Sequence, residues 1–384
     1  MIFENVIGPA RPASWVLRFW PILLSSLLSG LAATALCKKI AIKLGVVDKP
    51  DNLVKTHKEP VAYLGGIGML IGLTVGIFAG LYNIRNEQYF PDAFRWLLGI
   101  LAGATIACVI GVIDDIFEIR PWQKILGQLV AASLIIIIGI RPAINWFFIL
   151  FTFKLSDNIE FLFGVAFIII SVLGATNSLN LLDGLDGLCA GVTIIITVAM
   201  LLIGIHLSTW DFSVVGDPVV IIICLSLLGA VLGFLPFNRH PAKIFMGDAG
   251  SMLLGFIIAS IMVIFAEKIP RWWMASIIIF GLPILDTAVA LARRLLNKRP
   301  LFVSDRGHIY DQMIDRGISL KKTVIICYLI TGLYGLLGVI MSQIRTRYAA
   351  IVYIFVISIS ALFVVKKGFL KMQGIRGAIK KNLG

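Results

Sequence analysis

Apolar runs recur along this chain, about eleven of them, each near the ~20 residues a helix needs to cross a bilayer. They fall at 15–36, 64–82, 94–113, 122–140, 159–179, 186–205, 218–236, 251–266, 272–296, 322–343 and 348–365. Such runs are too long for strands, and hydrocarbon tolerates only backbone that satisfies its own hydrogen bonds. Helices are therefore expected. Composition agrees: 59% of the residues are hydrophobic and only 14% charged, which excludes disorder and argues against a soluble globule. The expected fold is all-α, a polytopic integral membrane protein of about eleven transmembrane helices. Residues 1–384 read as a single domain, without internal repeats or flexible linkers. The first span lacks a short basic leader and exceeds a typical signal core, so a permanent anchor is expected.

The net charge of +13 is unevenly spread. Lysine and arginine gather at 37–60, 293–322 and 366–384, on connectors of one side. The positive-inside rule makes that side cytoplasmic, with the N-terminus outside and the C-terminus inside. The spread argues for membrane and against nucleic acid. The basic tail 366–384 suits anionic lipid, or simply sets topology. The expected location is the cell's inner (cytoplasmic) membrane. The five cysteines are scattered without metal-ligand spacing and read as small apolar helix residues.

Acids gather on the same side, although acids contribute little to orientation. Asp114, Asp115, Asp183, Asp186, Asp248, Asp305 and Asp311 fall at the cytoplasmic face, and Asp286 lies in the cytoplasmic half of its span. The segment from Asn177 through Asn180, Asp183 and Asp186 to Leu188 joins two long apolar runs. Carboxylates at the edge of hydrocarbon are costly and so point to function. Asp and Asn oxygens suit Mg²⁺ or Mn²⁺ rather than zinc. Simpler readings exist for each: Asp183 and Asp248 can cap helices, and the Asp114-Asp115 pair can be solvated. Adjacent carboxylates nevertheless repel unless a cation relieves them. Neighbours on a helix project about 100° apart, so the two acids need not serve one partner. Lys124 opens the next span, and Asp305-Arg306-Gly307-His308 is compact and mixed in sign, the chemistry of a phosphate clamp, although such basic residues can also be ordinary positive-inside residues. Phe245 can stack on a base or lie at the interface. Pro283, three residues before Asp286, is expected to kink its span.

Six motifs in order resemble the polyprenyl-phosphate N-acetylhexosamine-1-phosphate transferase family. They are Leu44 to Pro50 with His57 and Leu64-Gly65-Gly66; Asp114-Asp115 with Lys124; Asn177 to Leu188; Phe245 to Ser251; Pro283 to Thr287; and Asp305-Arg306-Gly307-His308. The resemblance implies transfer of a sugar 1-phosphate, most simply GlcNAc-1-phosphate, from a UDP-sugar to a polyprenyl (undecaprenyl) phosphate lipid, releasing UMP. It puts Mg²⁺ (or Mn²⁺) on Asp248 with Asn180. It gives Asp114 and Asp115 the lipid phosphate, and Asn177, Asp183, Asp186 and Phe245 the nucleotide. Arg306 and His308 would touch the diphosphate, with Lys124 on the sugar-phosphate and Asp48, His57 and Asp286 as further site candidates. Three positions depart from the family's pattern: Ile309-Tyr310-Asp311 follows His308 where further histidines are common, Glu118 stands for a third Asp, and Tyr63 for a basic residue. These favour the branch that starts envelope polysaccharides over the phospho-MurNAc-pentapeptide transferases. An ion-coupled transporter is the reading from another class, and it would need charges near the membrane midplane. The oligomeric state stays open, a homodimer included.

Overall fold

The structure, a computed structural model, describes residues 14–48, 60–145, 155–209, 216–267, 270–298 and 307–370. Every expected span falls on helix. The helices are α1 (Ser14–Leu17), α2 (Trp20–Leu44), α3 (Gly65–Asn83), α4 (Phe90–Phe117), α5 (Pro121–Ile137), α6 (Asp157–Leu182) and α7 (Leu188–Thr209). They continue with α8 (Gly216–Asn238), α9 (Gly247–Ala266), α10 (Pro270–Ile279), α11 (Gly281–Leu296), α12 (Ile309–Asp315), α13 (Leu320–Gln343) and α14 (Thr346–Lys366). The protein is an all-α polytopic membrane protein. Among the described residues nine helices are long and apolar enough to cross a bilayer, ten if a bent pair counts as one span.

Two of the eleven expected spans differ from simple crossings. The run at 122–140 yields only the 17 residues of α5. That is about 25 Å of helix against a hydrocarbon core of ~30 Å. The helix stops because the chain turns at Gly139, whose φ of 85° is left-handed, and Pro142 follows. The run at 272–296 is broken into α10 and α11, which meet at 68°. The kink expected at Pro283 is there. Proline has no N–H for the Ile279 carbonyl and its ring crowds that group, so α10 ends at Ile279.

Apart from the helices, β1 (Val47–Asp48) pairs antiparallel with β2 (Val61–Ala62), a ribbon the all-helical expectation did not include. Ala62 also bridges Ile244, and the Gly65 and Gly66 N–H groups donate to the Phe245 and Met246 carbonyls at 3.1 Å. These bonds tie the loop before α3 to the loop before α9. Helix α9 is the centre of the bundle: it packs against α3, α4 and α6, and nearly all its residues are buried. All five cysteines are free and buried, as small apolar residues should be.

Candidate active site

Four segments far apart in sequence deliver polar groups to one end of α9. The last turn of α4 carries Asp114 and Asp115, and their divergence on the helix gives them different partners. Asp115 accepts the backbone N–H groups of Asp248 (2.8 Å, Oδ1) and Ala249 (3.2 Å, Oδ2). It thus satisfies two orphan donors at the start of α9 and places a negative charge at the positive end of that helix dipole. In the structure Asp115 holds the start of α9.

The approach of α4 to α9 is close at one point. A Cβ on Gly111 would collide with the backbone of Asp248 and Ala249, so only glycine fits. Gly111→Ala is expected to lower stability by about 1–3 kcal/mol through overpacking. A drop in the apparent Tm of the purified protein checks it; an unchanged Tm would mean that α9 can move aside.

Asp114 points the other way. Its Oδ1 accepts the Ile119 N–H at 3.0 Å, and its Oδ2 pairs with Lys124 Nζ. Lys124 lies in the first turns of α5, where Pro121 opens the helix and Gln123 Oε1 accepts the Arg120 N–H at 2.9 Å. That start aims Lys124 at two carboxylates at once: its ammonium also meets Asp248 Oδ2 at 2.5 Å. Asn180, near the end of α6, donates Nδ2–H to Asp248 Oδ1 at 2.7 Å and to Ser251 Oγ at 3.1 Å. Asp248 sits in the first turn of α9.

Asp183 follows α6 and precedes the turn to α7. It does not cap the N-terminus of α7, which begins five residues later at Leu188. Burial pushes its carboxyl well above the usual carboxylate range, and the charges of Asp248, Asp115 and Asp186 push the same way. Folding therefore carries a penalty for ionising Asp183. The penalty is absent below the ordinary carboxylate range and grows as pH rises toward the raised value. Asp183→Asn is expected to raise the apparent Tm of divalent-free protein near neutral pH. The gain should shrink as pH falls toward ~4, where wild-type Asp183 is neutral as well. A gain that does not change with pH would remove Asp183 from this cluster.

Aromatic groups close one side. The Tyr63 and Phe245 rings meet edge to face with centroids 6.0 Å apart. Burial, followed by the charges of Asp48, Asp115, Asp248 and Asp183, raises the Tyr63 phenol, so it stays neutral and able to donate. Asp48 is buried on β1.

Other candidates hold the surroundings. Asn177 donates to Gln128 Oε1 at 3.0 Å and to the Leu173 carbonyl at 2.8 Å, joining α6 to α5 rather than reaching Asp248. Asp186 Oδ2 pairs with His240 Nδ1 at 2.8 Å and accepts the Ala242 N–H at 3.1 Å. It pins the loop after α6 to the loop after α8. Asn238 reinforces the second joint, accepting the Gly187 N–H and donating to the Ile244 carbonyl, each at 3.1 Å.

Asp286, fully buried on α11, forms a separate pair. Its Oδ2 meets His308 Nδ1 at 2.7 Å and its Oδ1 accepts the Ile309 N–H at 2.6 Å. The His308 ring stacks on Tyr310 with an interplanar angle of 8°, and Tyr310 OH donates to the Leu181 carbonyl at 2.9 Å. Tyr310 thereby ties the His308 segment to the end of α6, two residues before Asp183. His57 and Arg306 lie outside the described residues.

The donor chemistry fits a hard divalent ion. Asp114 and Asp248 already share one cation, the Lys124 ammonium, and Asp183 stands close enough to be raised by the charges of Asp248 and Asp115. Among the described residues no three His, Cys, Asp or Glu side chains are arranged as ligands of one ion, so an ion would use Asp248 with the Asn180 amide oxygen and non-protein oxygens.

The sequence profile of Glycosyl transferase family 4 matches residues 97–266, the stretch holding Asp114, Asp115, Lys124, Asn180, Asp183 and Asp248. The chain is 34% identical over 340 residues to a Bacillus subtilis protein named "Probable undecaprenyl-phosphate N-acetylglucosaminyl 1-phosphate transferase", covering 87% of each. It is 30% identical to the decaprenyl-phosphate N-acetylglucosaminephosphotransferase of Mycobacterium tuberculosis, over 78% of this chain and 77% of that one. It is 27% identical to the undecaprenyl-phosphate alpha-N-acetylglucosaminyl 1-phosphate transferase of Escherichia coli, over 79% and 78%. Matched over 87% of its length by one such relative, and with its own acids converging on one helix end, the chain belongs to the polyprenyl-phosphate N-acetylhexosamine-1-phosphate transferases of glycosyl transferase family 4.

Proposed function

We propose that this protein transfers GlcNAc-1-phosphate from UDP-GlcNAc to a polyprenyl phosphate, producing polyprenyl-diphosphate-GlcNAc and UMP at the cytoplasmic face of the inner membrane. The observation that carries this reading is the meeting of Asp114, Lys124, Asn180 and Asp248, from four separate segments, around one cation position. Both substrates are anions, and their approach is repulsive until positive charge is supplied.

Mg²⁺ or Mn²⁺ held by Asp248 and Asn180 would supply Lewis-acid charge to the diphosphate. The chain's own residues supply the rest. Asp114 takes the proton of the lipid phosphate. That oxygen then attacks the sugar-linked phosphorus, and the bond to the UMP oxygen breaks. The sugar C1–O bond is never cut, so anomeric configuration is retained. Lys124 offers an ammonium to the phosphate oxygens as charge shifts to UMP. Asp115 holds the α9 N-terminus and hence the aim of Asp248. Phe245, with Tyr63 at its edge, gives the base a ring to stack on. Asp286 holds His308 through Nδ1 and so sets the orientation of the ring assigned to the diphosphate. Asp186 and Asn177 keep the flanking loops in register.

The test is purified protein with polyprenyl phosphate, Mg²⁺ and a panel of UDP-sugars. UMP release with UDP-GlcNAc, abolished by EDTA, is expected. Release only with UDP-MurNAc-pentapeptide would place the protein in peptidoglycan synthesis, and no release from any donor would overturn the transferase reading.

A further inference from the structure

The Lys124 ammonium bridges two carboxylates that a metal ion on Asp248 would draw on. It touches Asp114 Oδ2 and, at 2.5 Å, Asp248 Oδ2, while Asn180 Nδ2 takes the other Asp248 oxygen at 2.7 Å. No other Lys or Arg pairs with either carboxylate among the described residues. Without Lys124 the two carboxylates, with Asp115 and Asp183 beside them, would face one another unshielded. A divalent ion bound through Asp248 Oδ2 and an ammonium on that same oxygen would repel strongly, so the two compete for it. Lys124 has somewhere to go: its side chain is 27% exposed, so it is not sealed in the bundle.

We propose that Lys124 is an exchangeable counter-ion, which holds Asp114 and Asp248 together while no divalent ion is present and is expelled when one binds. The inference rests on the cation-binding role given to Asp248 above, and it adds what the ion must compete with. Exchange swaps one positive charge for two, so the cluster gains charge only when the ion arrives. The expelled ammonium stays tethered at the rim, on the side from which anionic substrates come. Affinity for the ion is then set by the strength of the lysine bridge and not by the carboxylates alone.

Mn²⁺ binding to purified protein, followed by the electron spin resonance of free Mn²⁺ without nucleotide, tests this. Lys124→Met is expected to bind Mn²⁺ about ten- to a hundredfold more tightly than wild type, the range set by losing one charge-assisted competitor. The same variant should melt lower than wild type in EDTA and recover with Mn²⁺. Equal or weaker Mn²⁺ binding by folded Lys124→Met would overturn the proposal. Should the variant not fold, wild-type protein decides. Mn²⁺ is expected to speed labelling of Lys124 by an amine-reactive reagent severalfold, read by peptide mass, and unchanged or slower labelling overturns exchange. UMP release is scored separately. Exchange without UMP release would sink the transferase reading alone, whereas UMP release with no change at Lys124 would sink the exchange alone.

Discussion

Asp248→Asn is expected to cut UMP release by about 10³-fold, the scale of removing one preorganised electrostatic group. The substitution keeps the shape of the side chain and removes its charge. It leaves intact the two bonds to Asp115, because those come from backbone N–H groups at positions 248 and 249. The start of α9 should therefore hold, and the apparent Tm should stay near the wild-type value. Loss of turnover with retained folding separates a chemical role from a structural one. Near-normal turnover would take Asp248 out of the ion site and leave the cluster without its centre.

Asp115→Ala should behave in the opposite way. It strands two part-buried N–H groups at the head of the enclosed helix α9, each costing about 1 kcal/mol or more, and it removes a favourable charge from the helix dipole. The expected result is a large fall in apparent Tm together with loss of UMP release. Asp115→Asn keeps one acceptor oxygen and should fall between the two. An Asp115→Ala protein that melts like wild type yet fails to turn over would show that Asp115 meets substrate directly.

The bundle was legible because hydrocarbon leaves a chain few options: the expected spans are helical, and even the break near Pro283 was written in the residue type. The shortness of α5 was less legible, since Ile138 and Ile140 extend the apolar run past the turn at Gly139. The gathering of Asp114, Asp183 and Asp248 was readable as chemistry and order. Which acid does what was not. The Asp114-Asp115 dipeptide looks like a matched pair, yet one carboxylate faces a lysine and the other a helix end, a difference created by α5 and α9 folding against α4. Asn177 and Asn180 look equivalent as well. They lie three residues apart on one helix, and their neighbours Gln128 and Asp248 divide them. The roles of His240, Asn238 and Tyr310 were not legible, because their partners are main-chain atoms or side chains of distant segments.

The enclosure of α9 reaches beyond packing. The 18-residue core of that helix is wholly covered by protein, whereas α14 buries only 17% of the equivalent stretch and leaves the rest of that apolar surface for lipid to cover. Asp248 is thus mounted on a helix whose apolar core is covered by its own neighbours. Membranes that thicken, thin or stiffen with growth conditions press on the outer helices first, so the geometry of phosphate transfer is insulated from the fluidity of the sheet in which its greasy acceptor swims.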